Sequence, residues 1–389
     1  MDKPEPLSAF KPLSEYKVPN APARETVRRK FVRFWRAFRP TEAEESRPDD
    51  LKTAGDEILD EVAARPDVGP LVDILQSNLT EWLGTTQPKR WVTTIVLPPC
   101  EEFGIVEKWA EQNGFEVAPE PTAEEILRAD LRCLPEMKGD RPLVIPRLER
   151  WVLRHHHGLQ LVRELLMRLD SIERHCVVGC NSWAWLWLSE VADASARLPA
   201  PLTPAAFDGE RLGRWFHELA DRSEKNDVVF RRSDNGQRIL SKTDAATASA
   251  NDYLKSLAAV SRGIPWVAWQ LWRQSMRTGP DDASEAKLAE KNSRSCIWMK
   301  PLADVGLPKF SGNSHSVALF VLQALLLHGR LSLDLLRKVL PSLDAFAALH
   351  RLEEEGFVVR EEGEYRVRSA GYPAARESLL HAGFPLDAL

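Results

Sequence analysis

The stretch from Trp91 to Ile105, WVTTIVLPPCEEFGI, runs an apolar strand directly into a turn and a helix. A phosphate-binding loop here would read GxxxxGK[ST], with glycines for close backbone approach, a lysine for charge and a hydroxyl for Mg²⁺. When Gly104 is aligned with the second glycine, the lysine and hydroxyl positions hold Ile105 and Val106. Two carboxylates lie where a phosphate would bind: Glu101 and Glu102. The pattern predicts the architecture of a nucleotide site without its phosphate chemistry.

Other polar residues could form sites, but their spacing argues against most of them. Three consecutive histidines at 155–157 cannot converge on one metal from a helix, so we expect a solvated cluster. Cys176 and Cys180 would be spread over about 13 Å of strand, which favours core cysteines over a zinc site. Cys100 lies near a helix start that could activate a thiol, although its glutamate neighbours oppose this. Asn181 follows a buried strand, where open α/β sheets bind ligands; a turn or capping role is the alternative.

The elements that would position these residues alternate between strand and helix. Short apolar strands are predicted at Trp91–Leu97, Phe115–Ala118, Leu143–Ile145 and Cys176–Cys180, with helical patterns between them. Such strands are typical of a parallel sheet that is buried on both faces. We therefore predict an α/β core over 51–192.

The last part of the chain, 312–389, has a different pattern. Three helices precede FVVREEGEYRVR, which predicts two strands around a Glu-Gly turn, and this order is that of a winged helix. The predicted recognition helix, 344–355, has a net charge of −3, and the charges of the wing cancel. Because duplex binding depends on lysine and arginine contacts to phosphate, nucleic acid is not the expected partner and a protein is.

The N-terminal residues carry a third pattern. A proline-broken arm is predicted over 1–23 and an acidic linker over 40–50. Between them, 24–39 has a net charge of +6 and an apolar stripe at helical spacing, which predicts a basic amphipathic helix. This helix could pack on its own domain, bind a partner protein or lie on a membrane surface. Its candidate contact residues are Arg28, Phe31, Arg33, Phe34, Trp35 and Phe38.

Composition sets the broad class. At 389 residues with a net charge of −5, the chain is expected to form two or three domains with no general attraction to nucleic acid. Its five cysteines do not indicate a disulfide framework, so a cytoplasmic location is expected. We expect neither a signal peptide nor a membrane span. Tryptophans cluster at 183–188 and 266–273, as core anchors or, alternatively, as a partner surface.

The order of these parts resembles the AAA+ and STAND ATPases that carry a C-terminal winged helix. The resemblance covers about 91–385. It implies a helical lid-like region over 193–300, a sensor-1 position at Asn181 and a sensor-2 region near Arg262. The expected Walker B acids are replaced by Pro146 and Arg147, with Glu149 the nearest carboxylate. Because the Walker A lysine and hydroxyl and the Walker B acid are absent, no residue is expected to bind Mg²⁺ or the γ-phosphate. The resemblance therefore implies a pseudo-ATPase.

These observations favour a non-catalytic scaffold or regulator that has a degenerate ATPase-like core, needs no cofactor and binds a partner protein. One alternative is a regulator that binds ATP or ADP without hydrolysis, through Gly104, Asn181 and Arg262. The other alternative is a DNA-associated regulator that acts through the winged helix and the N-terminal arm.

Overall fold

The computed structural model describes residues 9–22, 51–221, 228–240, 252–279, 296–310, 316–341 and 343–389. The predicted basic helix at 24–39 and the acidic linker at 40–50 lie outside these residues. The same holds for the candidate contacts on that helix: Arg28, Phe31, Arg33, Phe34, Trp35 and Phe38. Among the described residues, no helix is long and apolar enough to cross a membrane.

The strands of the described residues are short. In chain order they are β1 (Phe10–Pro12), β2 (Lys52–Thr53), β3 (Val92–Leu97), β4 (Glu116–Val117), β5 (Leu143–Ile145), β6 (Cys176–Asn181), β7 (Leu202–Pro204), β8 (Val229–Arg232), β9 (Arg238–Leu240), β10 (Met276–Thr278), β11 (Cys296–Met299), β12 (Leu331–Ser332), β13 (Val358–Glu361) and β14 (Glu364–Val367).

The α-helices of the described residues follow the same numbering by chain order. They are α1 (Asp56–Val62), α2 (Gly69–Leu83), α3 (Ile105–Gln112), α4 (Ala123–Arg128), α5 (Gln160–Leu169), α6 (Ser182–Val191), α7 (Ala194–Arg197), α8 (Gly209–Asp221), α9 (Asp252–Val260), α10 (Pro265–Ser275), α11 (Ser316–His328), α12 (Leu333–Val339), α13 (Ala345–Glu354) and α14 (Tyr372–His381).

The chain divides into two compact units, and each contains segments that are distant in sequence. The first unit takes the described parts of Val18–Asp67 and Ala206–Leu307. The second takes Ser8–Lys17, Val68–Ala205 and Pro308–Leu389, so the C-terminal segment belongs to the same unit as the α/β core.

A six-stranded sheet forms the centre of the second unit, in the order β1-β7-β3-β6-β5-β4. The strands from β7 to β4 pair in parallel. Strand β6 is buried along its whole length, as the interior strand of a parallel sheet should be. The predicted α/β class with a parallel sheet is confirmed. The predicted arm is not wholly separate from the core, because β1 pairs antiparallel with β7 at the edge.

The helix after β3 begins where the sequence predicts it. Gly104 is the N-cap of α3 and adopts a left-handed conformation with φ of 67°, which glycine reaches without strain. Trp109 of α3 is fully buried, and its indole N–H donates to Gln76 Oε1 at 2.7 Å. This bond fixes α3 against α2, so the loop between β3 and α3 is held at both ends.

The end of β5 approaches β6 closely. A Cβ placed on Gly179 of β6 would lie 2.1 Å from the backbone oxygen of Pro146, a distance that no side chain tolerates. The absence of a Cβ at this position therefore lets the segment after β5 cross β6. That segment continues into a short 3-10 helix, Leu148–Trp151, which carries Glu149.

The C-terminal segment combines helices with a three-stranded antiparallel sheet, in the order β12-β14-β13. Ser332 caps α12, and Asp344 caps α13. The hairpin between β13 and β14 turns at Glu362 and Gly363, which both have positive φ as a two-residue type I′ turn requires. The predicted helices and hairpin strands are confirmed.

The first unit contains more strand than the sequence predicts. Its sheet has the order β2-β10-β11-β8-β9, with β11 parallel to β8 and the other pairs antiparallel. The sequence does not predict this sheet, because strands of two to four residues with several arginines show no clear alternation. Trp266, Trp269 and Trp272 are buried, as are Trp183 and Trp185 in the second unit, which favours the core-anchor interpretation.

Candidate functional site

A cavity of about 470 Å³ opens at the carboxyl ends of β3, β5 and β6. This is the edge of a parallel sheet at which α/β proteins place ligands. The core contributes three segments to its walls, and the C-terminal segment contributes two. The lining residues are Leu97, Pro98, Pro99, Cys100, Glu101, Glu102, Glu107, Pro146, Arg147, Glu149, Cys180, Asn181, Leu325, Leu326, Gly329, Arg330, Glu361, Glu362, Glu364, Arg366 and Val367.

The loop at 98–104 binds one of its own carboxylates. Glu101 Oε1 accepts a hydrogen bond from the backbone N–H of Phe103 at 2.6 Å, and the Gly104 N–H also stabilises the carboxylate. Only 7% of the Glu101 side chain is exposed. These N–H groups directly precede α3. In a phosphate-binding loop, the backbone N–H groups at the equivalent positions bind the phosphate. A carboxyl group of the protein itself therefore occupies this part of the loop.

Arg147 joins this loop to the segment after β5. Its guanidinium binds Glu107 on α3 through a short hydrogen bond and lies 3.4 Å from Glu101 Oε2. Burial raises the pKa of Glu101, Arg147 and the two loop N–H groups lower it, and Glu107 raises it; the result of all these effects is a pKa of about 7. Arg147 thus serves as the cation for two carboxylates of the protein, Glu101 and Glu107.

Glu149 and Asn181 meet at the back of the cavity. Glu149 is 4% exposed, and its Oε2 accepts the backbone N–H of Asn181 at 3.1 Å. Burial raises the pKa of Glu149. The Asn181 side chain accepts the N–H of Ala184 at 2.8 Å, which caps α6, and donates to the backbone oxygen of Leu327 at 3.0 Å. Asn181 lines the cavity, but its amide is engaged by the protein itself, as the capping alternative requires.

The hairpin of the C-terminal segment covers one side of the cavity. Arg366 on β14 binds Glu102 of the loop at 2.6 Å and Glu361 of β13 at 2.7 Å. Glu364, at the start of β14, accepts from Arg150 of the core at 3.2 Å. These charged pairs connect the hairpin with the loop after β3 and with the 3-10 helix after β5.

The lining carries seven carboxylates and three guanidinium groups. When all are ionised, the walls have an excess of four negative charges, and the nearest cations already bind carboxylates of the protein. A triphosphate, with its own negative charges, would be repelled from such a cavity unless new cations entered with it.

The other candidate residues either lie outside the cavity or carry thiols whose pKa is raised by burial. Arg262 belongs to the first unit, in a left-handed conformation with φ of 58°, so the cavity described above does not include it. Burial raises the pKa of the Cys100 thiol far above its usual range and that of Cys176 to about 12. The histidines at 155–157 lie in a turn, and the described residues contain no cluster of metal ligands.

The ion pairs of this site were not identified from the sequence. Arg147 was noted only as the replacement of an acid, and neither Glu107 nor Arg366 was named as a site residue. No local signal identifies these partners, because Arg147 and Glu107 are 40 positions apart and Arg366 and Glu102 are 264 apart.

No family model matches this chain, and no curated protein matches it. Among solved structures, the Walker-type ATPase of Pyrococcus abyssi is similar at 11% identity, over 80% of this chain and 96% of that one, with a TM-score of 0.28. Cdc6p from Pyrobaculum aerophilum is similar at 12% identity, over 85% of this chain and 99% of that one, with a TM-score of 0.31. TM-scores this low do not establish a shared fold, so the α/β class rests on the parallel sheet itself.

Proposed function

We propose that this protein is a non-catalytic scaffold or regulator with a degenerate ATPase-like core, which acts by binding a partner protein. The observation that carries the proposal is the Glu101 carboxylate, which accepts the loop N–H groups that a phosphate would use. A bound nucleotide would have to displace this buried carboxylate and overcome the acidic walls of the cavity. Hydrolysis would in addition need a holder for Mg²⁺, and the loop supplies neither lysine nor hydroxyl.

The C-terminal segment supports a structural role in this proposal. We propose that the predicted domain 312–389 is a winged helix, and the order of helix, strand, two helices and two strands in its described part supports this. The wing binds its own core through Arg366 and Glu102, and α13 carries more carboxylates than cations. A DNA duplex would be repelled by the acidic α13, and the wing arginine Arg366 already binds Glu102. Both features favour contacts with protein over contacts with DNA. We further propose that 193–300 corresponds to the lid-like region of such a core.

Two parts of the proposal rest on sequence patterns alone. The first is a contact of the basic helix at 24–39 with a partner protein or a membrane surface. The second is a cytoplasmic location.

The alternative function is a regulator that binds ATP or ADP without hydrolysing it. The specific observation in its favour is the cavity at the carboxyl end of the sheet, which Asn181 lines. Two observations argue against nucleotide binding. The Asn181 side chain already bonds to Ala184 and Leu327, and Glu101 already accepts the N–H of Phe103.

Thermal unfolding with and without Mg-ATP separates these functions. A nucleotide at 100 times its Kd should stabilise the folded protein by about 2.7 kcal/mol. We expect no change of Tm up to millimolar Mg-ATP for the wild-type protein. A dose-dependent rise in Tm with Mg-ATP, absent with Mg²⁺ alone, would favour the nucleotide-binding alternative.

A further inference from the structure

The cavity keeps an acidic excess even when its most buried carboxyl groups are neutral. Burial raises the pKa of both Glu101 and Glu149. With these two protonated, the remaining five carboxylates of the wall still outnumber its three guanidinium groups. Charges of one sign in the walls of a cleft reinforce one another, so the cavity favours a cationic ligand over an anionic one.

Glu149 is a wall carboxyl that forms no ion pair with any described residue. It is 4% exposed, its Oε2 accepts the N–H of Asn181 at 3.1 Å, and the Cys180 thiol also bonds to it. Arg147, whose charge lowers the pKa of Glu149, makes its ion pairs with two other glutamates of the wall. A carboxyl group is rarely buried to this extent without a cation. A cation that entered the cavity would supply the missing pair.

The arginines of the protein itself show which cation suits this wall. Arg147 binds both Glu101 and Glu107. Arg366 likewise binds one glutamate of the loop after β3 and one of β13. Each guanidinium group thus bonds to two carboxylates, which its planar fork of N–H donors allows. An ammonium group lacks this fork, so a guanidinium group is the favoured ligand.

The cavity can also hold the atoms that would carry such a group. Its volume of about 470 Å³ is within the range of ligand pockets, about 300 to 1,000 Å³. Its apolar wall residues are Leu97, Pro98, Pro99, Leu325, Leu326 and Val367. Apolar surface of this kind packs against the aliphatic stem of an arginine side chain and against apolar neighbours of that arginine.

We propose that the cavity is the binding site for an arginine side chain of a partner protein, with the guanidinium group paired with Glu149. The inference rests on the proposed function, because it specifies the chemistry of the partner. The partner segment presents its arginine between apolar residues, which contact the apolar part of the wall.

Isothermal titration calorimetry of the full chain with short peptides tests this proposal. The first probe is the acetylated and amidated peptide Gly-Leu-Arg-Leu-Gly, which should bind with a Kd of about 1 mM or below. The second has citrulline in place of arginine, and should bind at least about tenfold more weakly because hydrogen bonds between charged groups are stronger than neutral ones. The third probe, n-propylguanidine, represents the side chain alone and should also bind at least about tenfold more weakly, because it lacks the apolar neighbours.

Substitutions in the wall locate the site. Glu149→Gln keeps the shape of the side chain and an acceptor for the Asn181 N–H, and should weaken binding of the arginine peptide about tenfold. Glu362→Gln, at the exposed turn of the hairpin, should weaken it about two- to threefold, as loss of an exposed charge does. The matched controls are Glu353→Gln and Glu377→Gln, which remove the same charge at exposed positions outside the cavity and should leave the Kd unchanged. Circular dichroism shows whether Glu149→Gln is folded; the citrulline peptide and Glu362→Gln test the site without it.

Three results would overturn the proposal. The first is an arginine peptide that does not bind at millimolar concentration, or binds no better than the citrulline peptide. The second is an equal loss of affinity in the wall variants and in the two controls, which would mean attraction by the overall charge of the protein. The third is binding of n-propylguanidine as tight as that of the peptide, which would mean a small free cation rather than a protein segment. None of these results involves nucleotide, whereas a rise of Tm with Mg-ATP would contradict the proposed function itself, so the two failures are distinguishable.

Discussion

Replacement of Glu101 by glutamine tests the electrostatics of the loop after β3. The carboxylate is buried, shares Arg147 with Glu107, and accepts loop N–H groups. Glutamine has nearly the same shape, and its carbonyl oxygen can still accept from the Phe103 N–H. The substitution therefore removes the ionisation and keeps the packing.

The size of the effect follows from the raised pKa. Folding moves the pKa of Glu101 from 4.5 to about 7. A carboxyl whose pKa is raised by folding contributes stability that is fully present below pH 4.5 and is lost as the pH rises through 7. Each pKa unit corresponds to about 1.4 kcal/mol, so the folded wild-type protein should lose about 3 kcal/mol between pH 4.5 and pH 8 on account of this group. The attraction of Arg147 is already contained in this pKa.

Urea unfolding at pH 5 and pH 8 measures this difference. The free energy of unfolding of Glu101→Gln, relative to wild type, should be about 2.5 kcal/mol higher at pH 8 than at pH 5, because a small part of the effect is already lost at pH 5. Glu377→Gln, at an exposed position on α14, is the control that should show no such dependence. If the Glu101→Gln difference were the same at both pH values, Glu101 would not be the buried, ionising group described above.

Two further substitutions test the packing that holds the site. Arg376→Met removes the guanidinium that pairs with the buried Asp387 and should lower the free energy of unfolding, measured in urea, by about 3 kcal/mol. A decrease of less than about 1 kcal/mol would mean that the ion pair is not buried. Gly179→Ala places a Cβ against the Pro146 backbone oxygen and should cost about 3 kcal/mol or more. In contrast, Gly306→Ala meets no atom within 4 Å and should be neutral, so equal effects of the two alanines would contradict the close approach.

Local sequence signals predicted most of the elements around the site. Thr122 caps α4 with the full capping box that its glutamate at 125 allows, and Gly114 ends α3 in a left-handed conformation. The apolar strands β3, β5 and β6 were predicted within a residue of their bounds, because continuous apolar runs between helices have few other interpretations.

What the sequence could not predict depends on long-range contacts. The pairing of Arg366 with Glu102 requires the C-terminal hairpin to lie on the core, and no periodicity encodes that. The antiparallel addition of β1 to β7 joins residues almost 200 positions apart. The mixed sheet of the first unit was not predicted for a different reason. Its strands are too short and too polar to show an alternation of apolar and polar residues.

The central claim is that the Glu101 carboxylate, and not a nucleotide, occupies the N–H groups before α3. The amide resonances of Phe103 and Gly104 report this directly in protein labelled with ¹⁵N on phenylalanine and glycine. In the wild-type protein both signals should stay in place when Mg-ATP is added to millimolar concentration, and both should shift in Glu101→Ala because their acceptor is gone. Saturable movement of the two wild-type signals with Mg-ATP would show that nucleotide displaces Glu101 and would contradict the account.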